Sequence, residues 1–76
     1  MSRLTIISSK DMLRILEMLG FKEIRQKGSH KHFRHRDGRT TLVPFHGEDL
    51  ARGLIRKILK DIEVSVEEYE KLRKQI

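Results

Sequence analysis

Arg25-Gln26-Lys27-Gly28-Ser29-His30-Lys31-His32-Phe33 decides how this chain folds. Gly28-Ser29 supplies a tight turn, and the segment before it is too brief and too polar for a stable helix. Phe21 to Lys27 therefore reads as one strand, and His30 to His35 as a second strand around Phe33. Asp37-Gly38 is a further hairpin signal. Thr40 to Val43 is rich in β-branched residues and makes a third strand, ended by Pro44, which cannot donate to a ladder. Three strands joined by two tight turns form an antiparallel meander.

Outside the meander the period changes from two to about 3.6. Met12, Leu13, Ile15, Leu16 and Leu19 form an apolar stripe for a helix over about Lys10 to Leu19. Ser9 is the expected N-cap, Asp11 suits the first turn, and Gly20 suits the exit. Met12 and Met18 are assigned to the core, and Met1 to Ile7 to an extended lead-in. After Pro44, Leu50, Leu54, Ile55, Ile58, Leu59 and Ile62 mark a second helix. Glu48 and Asp49 suit its start, and Arg56, Lys57 and Lys60 its end. Gly53 inside it costs about 1 kcal/mol, which points to close packing or to close approach of a partner there. Ser65 and Glu68 have capping-box spacing, and Val66, Tyr69, Leu72 and Ile76 then stripe a short terminal helix. The expected fold is α+β in the order α-β-β-β-α with an added C-terminal helix, one domain over residues 1–76. Helices cover one face of a three-stranded antiparallel sheet; the other face is left for solvent or a ligand.

Composition narrows the function. The chain has 76 residues, 37% of them apolar, and a core of that size supplies only about 3–5 kcal/mol. Little remains for a deep enclosed pocket, which argues against a cofactor enzyme. No apolar run approaches the ~18 residues of a membrane span. The N-terminus has no signal-peptide pattern, so a soluble cytoplasmic protein is expected. The absence of cysteine removes disulfides, thiolate zinc sites and thiol nucleophiles. The formal net charge is +6, and Lys22 to Arg39 holds seven Lys and Arg against Glu23 and Asp37. Such a concentrated basic window suggests a polyanion footprint. A solvated basic loop would account for the charge equally well.

The candidate chemistry lies on the second strand. Side chains alternate, so His30, His32 and Arg34 share one face while Lys31, Phe33 and His35 share the other. Phe33 is the natural core anchor, which turns His30 and His32 outward beside Lys27 and the amides of the Gly28 turn. An exposed imidazole among cations suits proton transfer on a phosphodiester. The His cluster also raises the possibility of zinc, but His35 points to the opposite face and no cysteine completes a tetrahedral set. Ser29 has no acidic residue near His30 to complete a triad and is better explained by the turn. The residues alone do not separate RNA from DNA as the polyanion.

The sequence also resembles the HicA toxins of HicA–HicB toxin–antitoxin modules, which are small messenger-RNA-cleaving ribonucleases. The resemblance runs from Ser9 to about Leu72. It rests on Leu19-Gly20-Phe21, on Arg25-Gln26-Lys27-Gly28-Ser29-His30 with Phe33 following, and on Asp37-Gly38-Arg39. Val43-Pro44 with His46, then Gly53 and Arg56-Lys57-Ile58-Leu59, complete it. It implies a double-stranded-RNA-binding-domain fold with His30 as the catalytic histidine. RNA contacts are then expected at Arg25, Lys27, Gly28, Ser29, Lys31, His32 and Arg34. It further implies cleavage of messenger or single-stranded RNA and a HicB-type antitoxin as partner. Attack by a 2′-hydroxyl needs no bound cation, so a metal-independent reaction is expected, with no cofactor and no membrane contact. Use of a 2′-hydroxyl would require RNA. A non-catalytic RNA-binding module on the same scaffold is the alternative.

Overall fold

The computed structural model describes residues 4–76. Helix α1 spans Ser9–Met18, strands β1, β2 and β3 span Lys22–Lys27, His30–Arg34 and Thr40–Pro44, and helices α2 and α3 span Arg52–Ile62 and Val66–Arg73. The strands form one antiparallel sheet in the order β1-β2-β3. The element order is that of a double-stranded-RNA-binding domain with a third helix added. Among the described residues no helix is long and apolar enough to cross a membrane.

The core is a single cluster drawn from every helix, from β2 and β3, and from the N-terminal segment. Met12, Ile15 and Leu16 enter from α1, Ile55, Ile58, Leu59 and Ile62 from α2, and Tyr69 from α3. The sheet contributes Phe33 and Val43 from one face only, so the helices cover that face and leave the other bare. The strand alternation expected around Phe33 is therefore present.

Several boundaries differ from the sequence reading, each for a local reason. The cap of α1 is Ser8, whose hydroxyl accepts the Asp11 N–H at 3.1 Å, while Ser9 is already helical and fully buried. Met12 is core, but Met18 lies on the solvent side and is 46% exposed. The second helix begins at Arg52, after Ala51, and has no side-chain cap; Glu48 and Asp49 precede it in the connection. Asp49 instead forms an isolated bridge with Ser8, and the Leu50 N–H donates to the Ile7 carbonyl at 2.9 Å. That tie seats Leu50 in the core ahead of the helix. Gly53 therefore falls in the first turn, and a Cβ placed there would meet nothing within 4 Å, so it marks no close packing. Of the lead-in, Met1 to Arg3 lie outside the described residues, and Leu4 to Ile7 form no strand although Leu4 and Ile7 are buried. Ser65 caps α3 as its spacing implies, accepting the Glu68 N–H at 3.1 Å.

Candidate nucleic-acid interface and active site

The β1–β2 hairpin is built by Gly28. Its φ of 60° lies in the left-handed region that side-chain-bearing residues rarely adopt. Glycine at the first central position of a two-residue turn matches the right-handed twist of the strands. The Gln26 side-chain amide donates to the Gly28 carbonyl at 3.0 Å, which steadies the turn from outside. Space around the Gly28 Cα is open, and Gly28, Ser29 and His30 are all exposed. Backbone groups and an imidazole are thus presented together at the hairpin tip.

Cross-strand register then decides which cations join them. His30 stands opposite Lys27, His32 opposite Arg25, and Arg34 opposite Lys22. On the other side His30 pairs with Pro44, His32 with Leu42 and Arg34 with Thr40. A register shift between Glu23 and Arg25 inserts Ile24 as an extra residue. Strict alternation would have put Lys22 and Arg25 on opposite faces; the bulge places both opposite residues of the His30 face. The outer sheet face therefore gathers Lys22, Arg25, Lys27 and Arg34 around His30 and His32. Among the described residues, none of those four cations forms an ion pair. Lys22 was not among the expected site residues, and its membership depends on a bulge that no short-range signal announces.

Lys31 is where the structure departs most from the expected site. It extends to the opposite face, where its ammonium lies 3.3 Å from Glu23 Oε1 and 4.5 Å from the centroid of the Phe45 ring. Only 18% of its side chain is exposed. It is thus not brought together with His30, and its charge is already partnered. Odd–even alternation with Phe33 carried this signal. The other expected residues, Arg25, Lys27, Gly28, Ser29, His32 and Arg34, do lie with His30 on the outer face or at its turn.

The remaining histidines lie apart. His35 follows β2 and stands edge-on to Phe21, with ring centroids 5.1 Å apart and its Nδ1 accepting the Asp37 N–H at 3.1 Å. The Asp37-Gly38 signal resolves as a three-residue loop, closed by His35 N–H to Arg39 O and Gly38 N–H to His35 O, both 2.9 Å. The Arg39 backbone N–H, aided by its guanidinium and by His35, outweighs desolvation and holds the Asp37 carboxyl below its usual range. The Arg39 guanidinium also donates to the Ile62 carbonyl and so ties this loop to the end of α2. His46 is exposed in the connection after β3, 3.9 Å from Glu48. Among the described residues no three His, Cys, Asp or Glu side chains converge as a metal-ligand group.

A face of this kind can hold phosphates by charge and presents the exposed His30 imidazole, with the half-buried His32 beside it, for proton transfer. The family model described as HicA toxin of bacterial toxin–antitoxin matches residues 9–64, which include α1, the whole sheet and α2. Among curated proteins none matches the chain.

Proposed function

The chain belongs to the HicA toxins of bacterial toxin–antitoxin modules, and on that premise we propose that it is a metal-independent endoribonuclease acting on messenger or other single-stranded RNA. The observation that carries the reading is the outer sheet face, where His30 and His32 stand among four cations with no carboxylate paired to them among the described residues. A purely structural basic surface would be expected to interleave acids; here Glu23, the acid of β1 nearest in register, is paired with Lys31 on the opposite face.

In this reading His30 takes the proton from a ribose 2′-hydroxyl. The freed oxygen attacks the adjacent phosphorus, the bond from phosphorus to the 5′ oxygen breaks, and that oxygen leaves with a proton. The products are a 2′,3′-cyclic phosphate and a 5′-hydroxyl end. Lys27, directly across from His30, and Arg25 offset the charge that grows on the phosphate oxygens. The open amides of the Gly28-Ser29 turn add to the same cradle. His32, two residues along the strand and on the same face, is the candidate second proton-transfer group. Lys31 holds the sheet against Phe45 and supports the site without contacting RNA.

A toxin of this family has a cognate antitoxin, and we take it to be of HicB type, acting in the same cytoplasm as the RNA. The unpaired cations make the outer face the surface such an inhibitor would cover, with acidic side chains opposite Lys27 and Arg34.

The deciding experiment incubates purified protein with end-labelled single-stranded RNA in excess chelator, comparing wild type with His30→Ala. Cyclic-phosphate ends from the wild type and their loss in the variant are the expected result. A variant that cuts at the wild-type rate moves the chemistry to His32 or His46. Activity lost in chelator and restored by zinc or magnesium overturns the metal-independent mechanism. The same cations would bind phosphate without cutting, so salt-sensitive binding with no wild-type cleavage would instead support a non-catalytic RNA-binding module.

A further inference from the structure

The outer face is not uniform. The bulge residue Ile24 is 58% exposed, the most exposed large apolar side chain among the described residues. A lone exposed isoleucine needs no explanation, but this one lines two open depressions. One, of about 730 Å³, is bounded by Gly20, Lys22, Ile24, Arg34, His35 and Arg36. A smaller one, of about 380 Å³, shares Ile24 and is lined by His32, Thr40 and Leu42 together with Lys57 and Asp61 of α2. Neither contains His30.

We propose that the larger cleft is a nucleotide subsite, which seats a base of the same single RNA strand about two nucleotides from the scissile phosphate. The proposal rests on the ribonuclease reading for its substrate class. Strand geometry gives the spacing. Residues rise about 3.4 Å each along an antiparallel strand, so Arg34 lies about 14 Å along β2 from His30. His32, at about half that distance, falls between them. Two such steps match two phosphate spacings of an extended single strand.

The chemistry of the cleft fits one occupant. Ile24 offers an apolar surface to a base, while Lys22, Arg34 and Arg36 offer charge to its phosphate. The His35 wall is fixed by its edge contact with Phe21 and its bond from the Asp37 N–H. Gly20 admits that ring, because a Cβ there would lie 3.2 Å from His35 Nε2 and the φ of +91° already favours glycine. A duplex keeps its bases stacked inside, whereas a single strand can turn a base outward into such a recess. Single-stranded RNA is therefore the class the cleft selects.

Ile24→Ser and Arg36→Ala test this without adding a carboxylate beside Lys22 and Arg34; both side chains are exposed, so melting temperatures should match wild type. The binding probe is an eight-nucleotide RNA fully 2′-O-methylated, which cannot be cut through a 2′-oxygen. Each variant should bind it roughly fivefold to tenfold more weakly, and Arg36→Ala should flatten the salt dependence by about 0.7 in log–log slope. In cleavage, each variant should lose a similar factor in kcat/KM on an eight-nucleotide RNA while cutting a dinucleotide at the wild-type rate. Unchanged binding of the methylated strand in both variants overturns the subsite. Equal losses on dinucleotide and octanucleotide overturn it too, since that pattern means damage at His30. Variants that lose antitoxin binding but keep RNA binding would make the cleft a protein contact. If the wild type cuts neither RNA, the ribonuclease reading fails, and the methylated strand alone still decides the subsite.

Discussion

The outer face of the sheet and the seam between the N-terminal segment and α3 treat polar groups in opposite ways. In the seam each is partnered. The Thr5 N–H and hydroxyl donate to the two oxygens of Glu70 at 2.8 and 3.0 Å. Arg73 Nε donates to Glu70 Oε1 at 2.7 Å, and the Tyr69 hydroxyl donates to the Thr5 carbonyl. Burial alone would raise the Glu70 carboxyl, but the Thr5 and Arg73 contacts outweigh it and hold the group below its usual range. Burial, reinforced by Glu70, pushes the Tyr69 phenol up to about 12. On the outer sheet face, four exposed cations, His30 and the half-buried His32 have no such partners among the described residues. Charge in the seam is consumed in holding the chain end to α3; charge on the sheet face remains available to a ligand. The division separates structural from functional groups.

The division is broken most sharply at His30. His30→Ala should lower cleavage by about 10²–10⁴-fold while the melting temperature stays at the wild-type value, because the ring is exposed and bonded to nothing in the fold. RNA cleavage and thermal melting of the same preparation check both halves. On the other side of the same strand the outcome inverts. Phe33→Ala empties a core position and should cost about 3–5 kcal/mol. That is as much as a core of this size supplies. At about 4–8 °C per kcal/mol, melting falls by at least about 12 °C or the cooperative transition vanishes, and activity is lost only with the fold.

A smaller effect is expected in the seam. Tyr69→Phe removes one hydrogen bond and should cost about 1 kcal/mol with no change in cleavage below the melting transition. The Glu70 contribution carries a pH signature. Its carboxyl is held lower in the folded than in the unfolded chain, so its stabilisation is present above the unfolded pKa, about 4.3. It is lost as pH falls through the folded value. Melting curves taken from neutral pH downward should show an acid loss that is blunted in Glu70→Gln. Tyr69 acts at the other extreme: its stabilisation is present below about pH 10 and is lost as pH rises toward about 12.

The smallest effects discriminate two lysines four residues apart. Lys27→Ala should weaken RNA binding a few-fold and lower the log–log salt slope by about 0.7, as loss of one phosphate contact requires. Lys31→Ala should leave that slope unchanged and lower stability slightly, through loss of Glu23 and the Phe45 ring. Anisotropy titrations at three salt concentrations separate the two. An equal loss of slope in both variants would show that Lys31 leaves Glu23 to contact RNA.

Local pattern was enough for much of this. The apolar stripes fixed the three helices, glycine at the hairpin turn joined β1 to β2, and Phe33 by its burial oriented the strand that carries His30 outward. Each of these rests on interactions within a few residues, or on a period that any amphipathic element must obey. What the tertiary structure alone decided rests on partners distant in sequence. The bulge at Ile24, which brings Lys22 onto the His30 face and opens the cleft beside it, arises from the register against β2. Lys31 is retired from the site by Glu23 and Phe45, and Leu50 is drawn into the core ahead of α2 by the Ile7 carbonyl. The lashing of Thr5 to Glu70 spans 65 residues of sequence. A one-dimensional pattern records which side chains need burial or a partner; it cannot record which partner arrives, because that follows from how the packed elements meet.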